Sequence, residues 1–291
     1  MSNITAQMVK ELRDRTGAGM MECKKALKEA GGDMDLAVDA MRKAGQAKAD
    51  KKSSRIAAEG VISLSMNDSH ANMVEINCET DFVAKDENFL EFVNIISEAS
   101  LQSYNKNLDD FNKSTHSSGK TLEEIRLELV SKVGENVKIR RIKSFEKSNA
   151  FIGHYMHGNK IGVVVTLEKE NENLAKDICM HIAAMKPAAL NSEDISNEDL
   201  DKEREIFMAH AKESGKPEDI ANKMVEGKIK KYISEVTLIN QPFVKDNDIT
   251  ISDLLDKNDN KILSFYRMEV GEGIEKKDEN FADEVMSQIK N

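Results

Sequence analysis

The sequence predicts an α+β protein: a helical N-terminal module, two related α+β core subdomains with small antiparallel sheets, an inserted helical hairpin and a helical C-terminal module. Three observations carry this expectation. Apolar residues recur at helical spacing through the N-terminal stretch, and later segments alternate apolar and polar residues as strands do. The order strand, turn, strand, helix then occurs twice, which points to two diverged copies of one unit. A chain of 291 residues has room for about two domains of roughly 100 to 200 residues, each burying its own core.

From Ile4 to Lys43 the apolar positions are Ile4, Met8 and Leu12, then Ala26 and Leu27, then Leu36, Ala37, Ala40 and Met41. A break at Thr16-Gly17-Ala18-Gly19 and another at Gly31-Gly32-Asp33, glycine C-cap followed by aspartate N-cap, divide the stretch into three short helices. Residues 1–45 are therefore expected as a three-helix module. Gln46 to Arg55, rich in Lys, Ala and Ser, reads as a solvated linker over 46–55.

The first core copy spans 56–145. Gly60 to Met66 and Ala71 to Cys78 alternate, with Asn67-Asp68 supplying the turn of a β-hairpin. After a polar loop, Glu79 to Glu87, a helix from about Asn88 to Ser103 carries Phe89, Phe92, Val93 and Ile96 on one face. Phe151 to Met156, the Gly158-Asn159 turn, Gly162 to Leu167 and the helix Leu174 to Met185 repeat the order in a second copy, 146–196 and 239–270. The tails also correspond: Leu122 to Leu129 then Val137 to Ile142 in one copy, Ile251 to Leu255 then Ile262 to Val270 in the other. Between the parts of the second copy, 197–238 reads as an antiparallel hairpin, Asn197 to His210 and Pro217 to Leu238, with a stripe of Ile220, Met224, Ile229, Ile233 and Val236. Self-association, another partner or packing between its own two helices all remain open for that stripe. The C-terminal module, 271–291, ends in an amphipathic helix with Phe281, Val285 and Ile289.

Composition narrows the function classes. With 52 acidic against 42 basic residues the formal net charge is −10, which opposes nucleic acid and anionic membrane surfaces as partners. Three distant cysteines, Cys23, Cys78 and Cys179, without paired spacing fit apolar core positions in a reducing cytoplasm. The N-terminus is charged and helix-patterned with no apolar run behind it, so neither a signal peptide nor a membrane anchor is expected.

Motifs for chemistry fail on their own terms. Gly119-Lys120-Thr121 resembles the end of a phosphate loop, but Ser114 stands where the first glycine is needed. His154 and His157 read as exposed turn histidines with no further ligand beside them, whereas a metal site needs three or four. There is no GxSxG elbow. No catalytic residue, cofactor or metal is expected, and the chain is not read as an enzyme.

Two stretches instead place large apolar residues in polar turns. Gly17-Ala-Gly-Met-Met puts Met20 and Met21 in a flexible loop near Arg13, Lys24 and Lys25, an adaptable patch rimmed by charge. Core packing of either methionine is the competing reading. Thr80-Asp81-Phe82-Val83 follows a strand, and spacing alone favours Phe82 as an anchor of the strand-to-helix corner over a wedge for a partner.

Several long blocks then carry a resemblance that shifts this balance. VKELRDRTGAGMMECKKALKEAGGDMDLAVDAMRKAG, NCETDFVAKDENF, YMHG, MHIAAMKP, EGKIKKYISEVTLINQPFVKD and VGEGIEKKDENFADEV, in that order across nearly the whole chain, resemble the bacterial elongation factor Ts family. The resemblance implies a ubiquitin-associated-like N-terminal module and a partner, the GTPase elongation factor Tu, whose GDP release the family promotes. It implies that Thr80, Asp81, Phe82 and Val83 enter the partner near its magnesium and nucleotide pocket. Arg13, Met20, Met21 and Lys24, together with Tyr155 and His157, are implied as further partner contacts. The alternatives are a non-exchanging scaffold with a ubiquitin-associated-like module and an enzyme acting at the cleft between the core copies.

Overall fold

The computed structural model describes residues 4–103, 106–147, 150–213 and 217–275. The chain divides into two compact units, 1–146 with 269–291, and 147–268.

The first unit opens with α1 (Ala6–Thr16), capped by Thr5, whose hydroxyl accepts from the Met8 N–H at 3.2 Å. Gly17, at φ 67°, closes it. α2 (Met20–Glu29) ends in a Schellman closure: the Gly32 N–H donates to the Leu27 carbonyl at 2.8 Å and the Gly31 N–H to that of Lys28 at 3.3 Å. Asp33 then caps α3 (Met34–Lys52) by accepting from the Leu36 N–H at 2.9 Å. The three helices close on Val9, Leu12, Cys23, Ala26, Leu27 and Ala37.

The stretch 46–55 corrects the expected solvated linker, since α3 continues through it to Lys52. Alternating Ala and Lys are strong helix formers, and one side of the extension is covered: Ala49 joins the core, Arg42 pairs with Glu124, and Lys52 Nζ donates to the Val130 carbonyl at 3.5 Å.

Next come β1 (Glu59–Met66), β2 (His70–Cys78), α4 (Glu87–Gln102), α5 (Leu108–Asn112), α6 (Leu122–Val133) and β3 (Lys138–Glu146). The antiparallel sheet runs β1-β2-β3, with Val61 opposite Ile76 and Val74 opposite Ile142. α4 lays Phe89, Phe92, Val93 and Ile96 over Val61, Val74, Ile76 and Cys78. The loop from Asn105 to Lys120, unassigned from sequence, contributes α5 and the fully buried Phe111 to this core. Gly119-Lys120-Thr121 proves to be a helix start: Gly119 turns at φ 80°, and Thr121 and Glu124 form a capping box. Lys120 there pairs with Glu128 at 2.6 Å.

On the other face of β2, the fully buried Glu75 faces a bulge in β3. Glu75 pairs with Arg141 and Ile76 with Ile139, so Arg140 is the extra residue and both guanidiniums turn toward one carboxylate. Residues 269–272 are bound into this cluster. The Gly271 N–H donates to Glu75 at 2.8 Å, Arg141 Nη2 to the Glu269 carbonyl at 2.9 Å and Arg140 Nη2 to that of Glu272 at 2.6 Å. Burial alone would raise the Glu75 pKa, but the Gly271 N–H, Arg141 and Asn77 together hold it below the ordinary glutamate value.

The second unit repeats the plan with β4 (Phe151–His157), β5 (Ile161–Leu167) and α7 (Glu172–Met185). The inserted α8 (Asn197–Glu213) and α9 (Glu218–Val236) precede β6 (Pro242–Phe243), β7 (Asp246–Thr250), α10 (Ile251–Lys257) and β8 (Ile262–Glu269). Its main sheet runs β4-β5-β8, and β6 and β7 make a second, two-stranded one. Val163, Val165 and Leu167 pack against Leu174, Ile178 and Ile182. α7 rests so closely on β4 that a Cβ at Gly153 would lie 2.2 Å from that of Ala175. His181, fully buried, shares a hydrogen bond with Gln241 Oε1 at 2.9 Å and accepts one from the Val244 N–H at 3.2 Å.

In the hairpin the packed stripe is Ala221, Val225, Ile229 and Ile233, meeting Ala211 and Phe207. Ile220 is exposed, a correction of phase: it lies in the first turn after Pro217, one residue off the four-residue repeat. The predicted helix with Phe281, Val285 and Ile289 lies outside the described residues.

Candidate functional site

The corner after β2 is shaped by polar groups from three parts of the first unit. Glu135, just past the end of α6, accepts from the Glu79 N–H at 3.1 Å, the Thr80 N–H at 3.0 Å and the Thr80 hydroxyl at 2.7 Å. In return Glu79 accepts from the Asn136 N–H at 2.6 Å and pairs with Arg55 at 3.5 Å. Thr80 Oγ1 also accepts from the Val83 N–H at 3.3 Å, and the Thr80 carbonyl accepts from the Ala84 N–H at 3.2 Å and from the Cys78 thiol at 3.2 Å. A single 3₁₀ turn, Val83–Lys85, follows in the expected polar loop, and Asp86 caps α4.

Within this corner the side chains divide by role. Ala84 is buried and Val83 packs against the core, so these two anchor the turn. Phe82 is 81 % exposed, which overturns the anchor reading favoured by spacing. Its neighbour Asp81 meets Lys85 at 2.8 Å, a one-turn ion pair that raises the Lys85 pKa chiefly through their hydrogen bond. A large apolar ring thus stands on a hydrogen-bonded base between charged groups, at a position where burial in a partner would recover roughly 1.5 to 3 kcal/mol.

The N-terminal module presents a second apolar patch. Met20 and Met21 are the first residues of α2, a correction of their expected place in the loop. The buried face of α2 begins at Cys23 and continues through Ala26 and Leu27, which leaves Met20 at 48 % and Met21 at 76 % exposure. Arg13 and Lys24 are exposed as well.

Tyr155 and His157 lie in the second unit, two apart on β4 and therefore on one face of the strand. Tyr155 OH and His157 Nδ1 share a hydrogen bond of 3.1 Å; Tyr155 leans on the core and His157 is exposed. The turn placement expected of His154 and His157 is corrected, since His154 sits mid-strand and His157 ends β4. Among the described residues no three His, Cys, Asp or Glu side chains gather as metal ligands, and no helix is long and apolar enough to cross a membrane.

Glu79, Glu135, Asn136 and Arg55 were not singled out from the sequence. The partners lie 55 and 57 residues apart along the chain, and no local pattern marks a carboxylate that holds a distant turn.

Comparison with known proteins gives a consistent result. The family model described as Elongation factor TS matches residues 79–272. The chain is 56 % identical over 290 residues to a protein named Elongation factor Ts from Thioalkalivibrio sulfidiphilus, covering 99 % of each. It is 52 % identical over 292 residues to that of Legionella pneumophila strain Paris, covering 100 % of both, and 51 % identical over 290 residues to that of Francisella tularensis subsp. novicida, again covering 100 % of both.

Proposed function

The chain belongs to the elongation factor Ts family, a family of translation elongation factors, and from that premise we propose that it binds elongation factor Tu in its GDP form and promotes GDP release. The observation that carries the reading is Phe82, exposed on a corner whose backbone is tied down on both sides. In the proposed complex Phe82 inserts between partner side chains beside the nucleotide pocket. Asp81 brings negative charge toward the groups that hold the partner's Mg²⁺ and its waters, and loss of that ion weakens the hold on the diphosphate. Thr80 and Val83 fix the approach. Met20, Met21, Arg13 and Lys24 grip the same partner from the helical module, and Tyr155 and His157 supply a contact from the second unit.

No bond is made or broken by this chain in such a process. Binding the empty partner more tightly than the loaded one is sufficient, and by linkage the nucleotide weakens the factor's own binding to the same extent. The setting is the cytoplasm, and the net charge of −10 suits a protein surface better than nucleic acid as the direct partner. The test follows release of a fluorescent GDP analogue from elongation factor Tu by stopped flow, with and without this protein. Many-fold faster release is expected; an unchanged rate across a full titration would overturn the assignment.

A further inference from the structure

We propose that Glu135 is a positioning residue for nucleotide exchange, holding the 80–83 corner stiff and in register with the N-terminal helical module; this rests on the exchange function proposed above. One carboxylate takes three donors, the Glu79 N–H, the Thr80 N–H and the Thr80 hydroxyl, at 3.1, 3.0 and 2.7 Å. All three belong to the two residues that immediately precede Asp81 and Phe82. The two backbone N–H groups that lead into the ring's turn are thus held by a residue from a different part of the fold.

The neighbouring residue extends the tie. Asn136, nearly fully buried, gives its backbone N–H to the Glu79 carboxylate at 2.6 Å, and its side-chain amide donates to the Arg55 carbonyl at 2.8 Å and to that of Ser53 at 3.4 Å. Ser53 caps the end of α3, the last helix of the N-terminal module. Residues 53–55, 79–80 and 135–136 are thereby joined at one junction, which links the helix bearing the module's root to the corner bearing Phe82. A ring that acts by displacing partner groups transmits force only if its base does not yield, and loosening a contact group by about an ångström costs up to about a hundredfold in rate. Glu135 does not reach the partner in this arrangement; it acts through Thr80.

The experiment uses the full chain with elongation factor Tu carrying a fluorescent GDP analogue, and compares wild type, Glu135→Ala and Glu135→Gln. Three quantities are read: the maximal release rate at saturating factor, the half-saturating concentration, and hydrogen exchange at the Glu79 and Thr80 amides, with circular dichroism as the folding control. In Glu135→Ala the maximal rate should fall by about tenfold or more, with a much smaller change in half-saturation, while both amides exchange faster. Glu135→Gln keeps a carbonyl oxygen for the two N–H groups, so it should restore most of the rate and the protection. Loss of amide protection in folded Glu135→Ala with an undiminished maximal rate would sink the positioning role. So would equal losses in both variants that track their melting temperatures, or a rise in half-saturation alone. If wild type itself fails to speed release, the exchange function falls and the positioning role with it, whatever the amides show.

Discussion

Replacing Phe82 by Ala separates the two roles a corner phenylalanine can have. The ring is 81 % exposed, so truncating it removes little that is buried, and the folded state should change in stability by no more than about 0.5 kcal/mol. Buried in a partner, the same ring is worth roughly 1.5 to 3 kcal/mol, and at about 1.36 kcal/mol per factor of ten this is an approximately 10- to 150-fold loss. The assay is stopped-flow release of the fluorescent GDP analogue, with thermal melting of the free variant beside it. Phe89→Ala serves as the contrast, because that ring is fully buried in the core and its truncation should cost about 3 to 5 kcal/mol of stability. A Phe82→Ala protein that melts like wild type and exchanges like wild type would refute the wedge; one that melts far below wild type would mean the ring is held in the core after all.

Further outcomes follow from Glu75, His181 and Gly271. Glu75→Gln leaves two arginines facing a neutral amide, and chemical denaturation at pH 7 should show a loss of about 3 kcal/mol, the lower end for a broken buried pair because both guanidiniums keep partial contact with water. Since the folded pKa of Glu75 lies below its ordinary 4.5, its contribution is present above that value and lost as pH falls through the folded pKa, so the variant should show a flatter acid limb below about pH 4.5. Burial lowers the pKa of His181, only partly opposed by its bond to Gln241; the unfolded chain therefore takes up a proton that the native one refuses, and stability should fall as pH drops below about 6.5, less steeply in His181→Gln. Gly271→Ala places a Cβ 2.3 Å from the Ala58 carbonyl oxygen at φ 73°, and its melt should report a loss of about 2 kcal/mol or more.

The elements that could be read from sequence are those whose signal is local. Helical spacing with a glycine or aspartate at each break located α1 to α3, and alternation located the first hairpin, because burial of one face writes a period into the chain; the second hairpin was located by recurrence of the same strand, turn, strand and helix order. α5 escaped since its contribution to the core is one fully buried side chain, Phe111, with the partly buried Leu108 packed against that core, in a stretch of Asn, Asp, Lys and Ser. The Ala-Lys run of 46–52 fits linker and helix equally well until Ala49 is seen to be covered. Glu75, on alternation, belongs to the polar face of β2; only the bulge that turns both Arg140 and Arg141 inward explains a charge buried there. The candidate contacts show the same division. Met21 and Phe82 stood out as apolar residues in polar company, but helix phase decides the exposure of the first, and the second sits on a corner whose Thr80 is held by a carboxylate 55 residues further along the chain.

The hydrogen bonding of the corner bears on how the proposed exchange would be accelerated without a bond being made or broken. Contacts that a partner makes equally in its loaded and empty states raise affinity without changing the release rate at saturation; only contacts made better in the empty state lower that barrier. In the proposed complex a soft surface patch such as Met20 and Met21, on flexible unbranched side chains, would adapt to either state and so contribute affinity common to both. Phe82 is the opposite kind of contact. Its ring stands on a turn closed by Thr80 and tied to Glu135, and in the proposed complex such a base would let it fit one arrangement of the partner and not the other. In the proposed exchange reaction, discrimination between the two states therefore falls to Phe82, an exposed ring on a hydrogen-bonded corner. Softening its base should cost rate before it costs affinity.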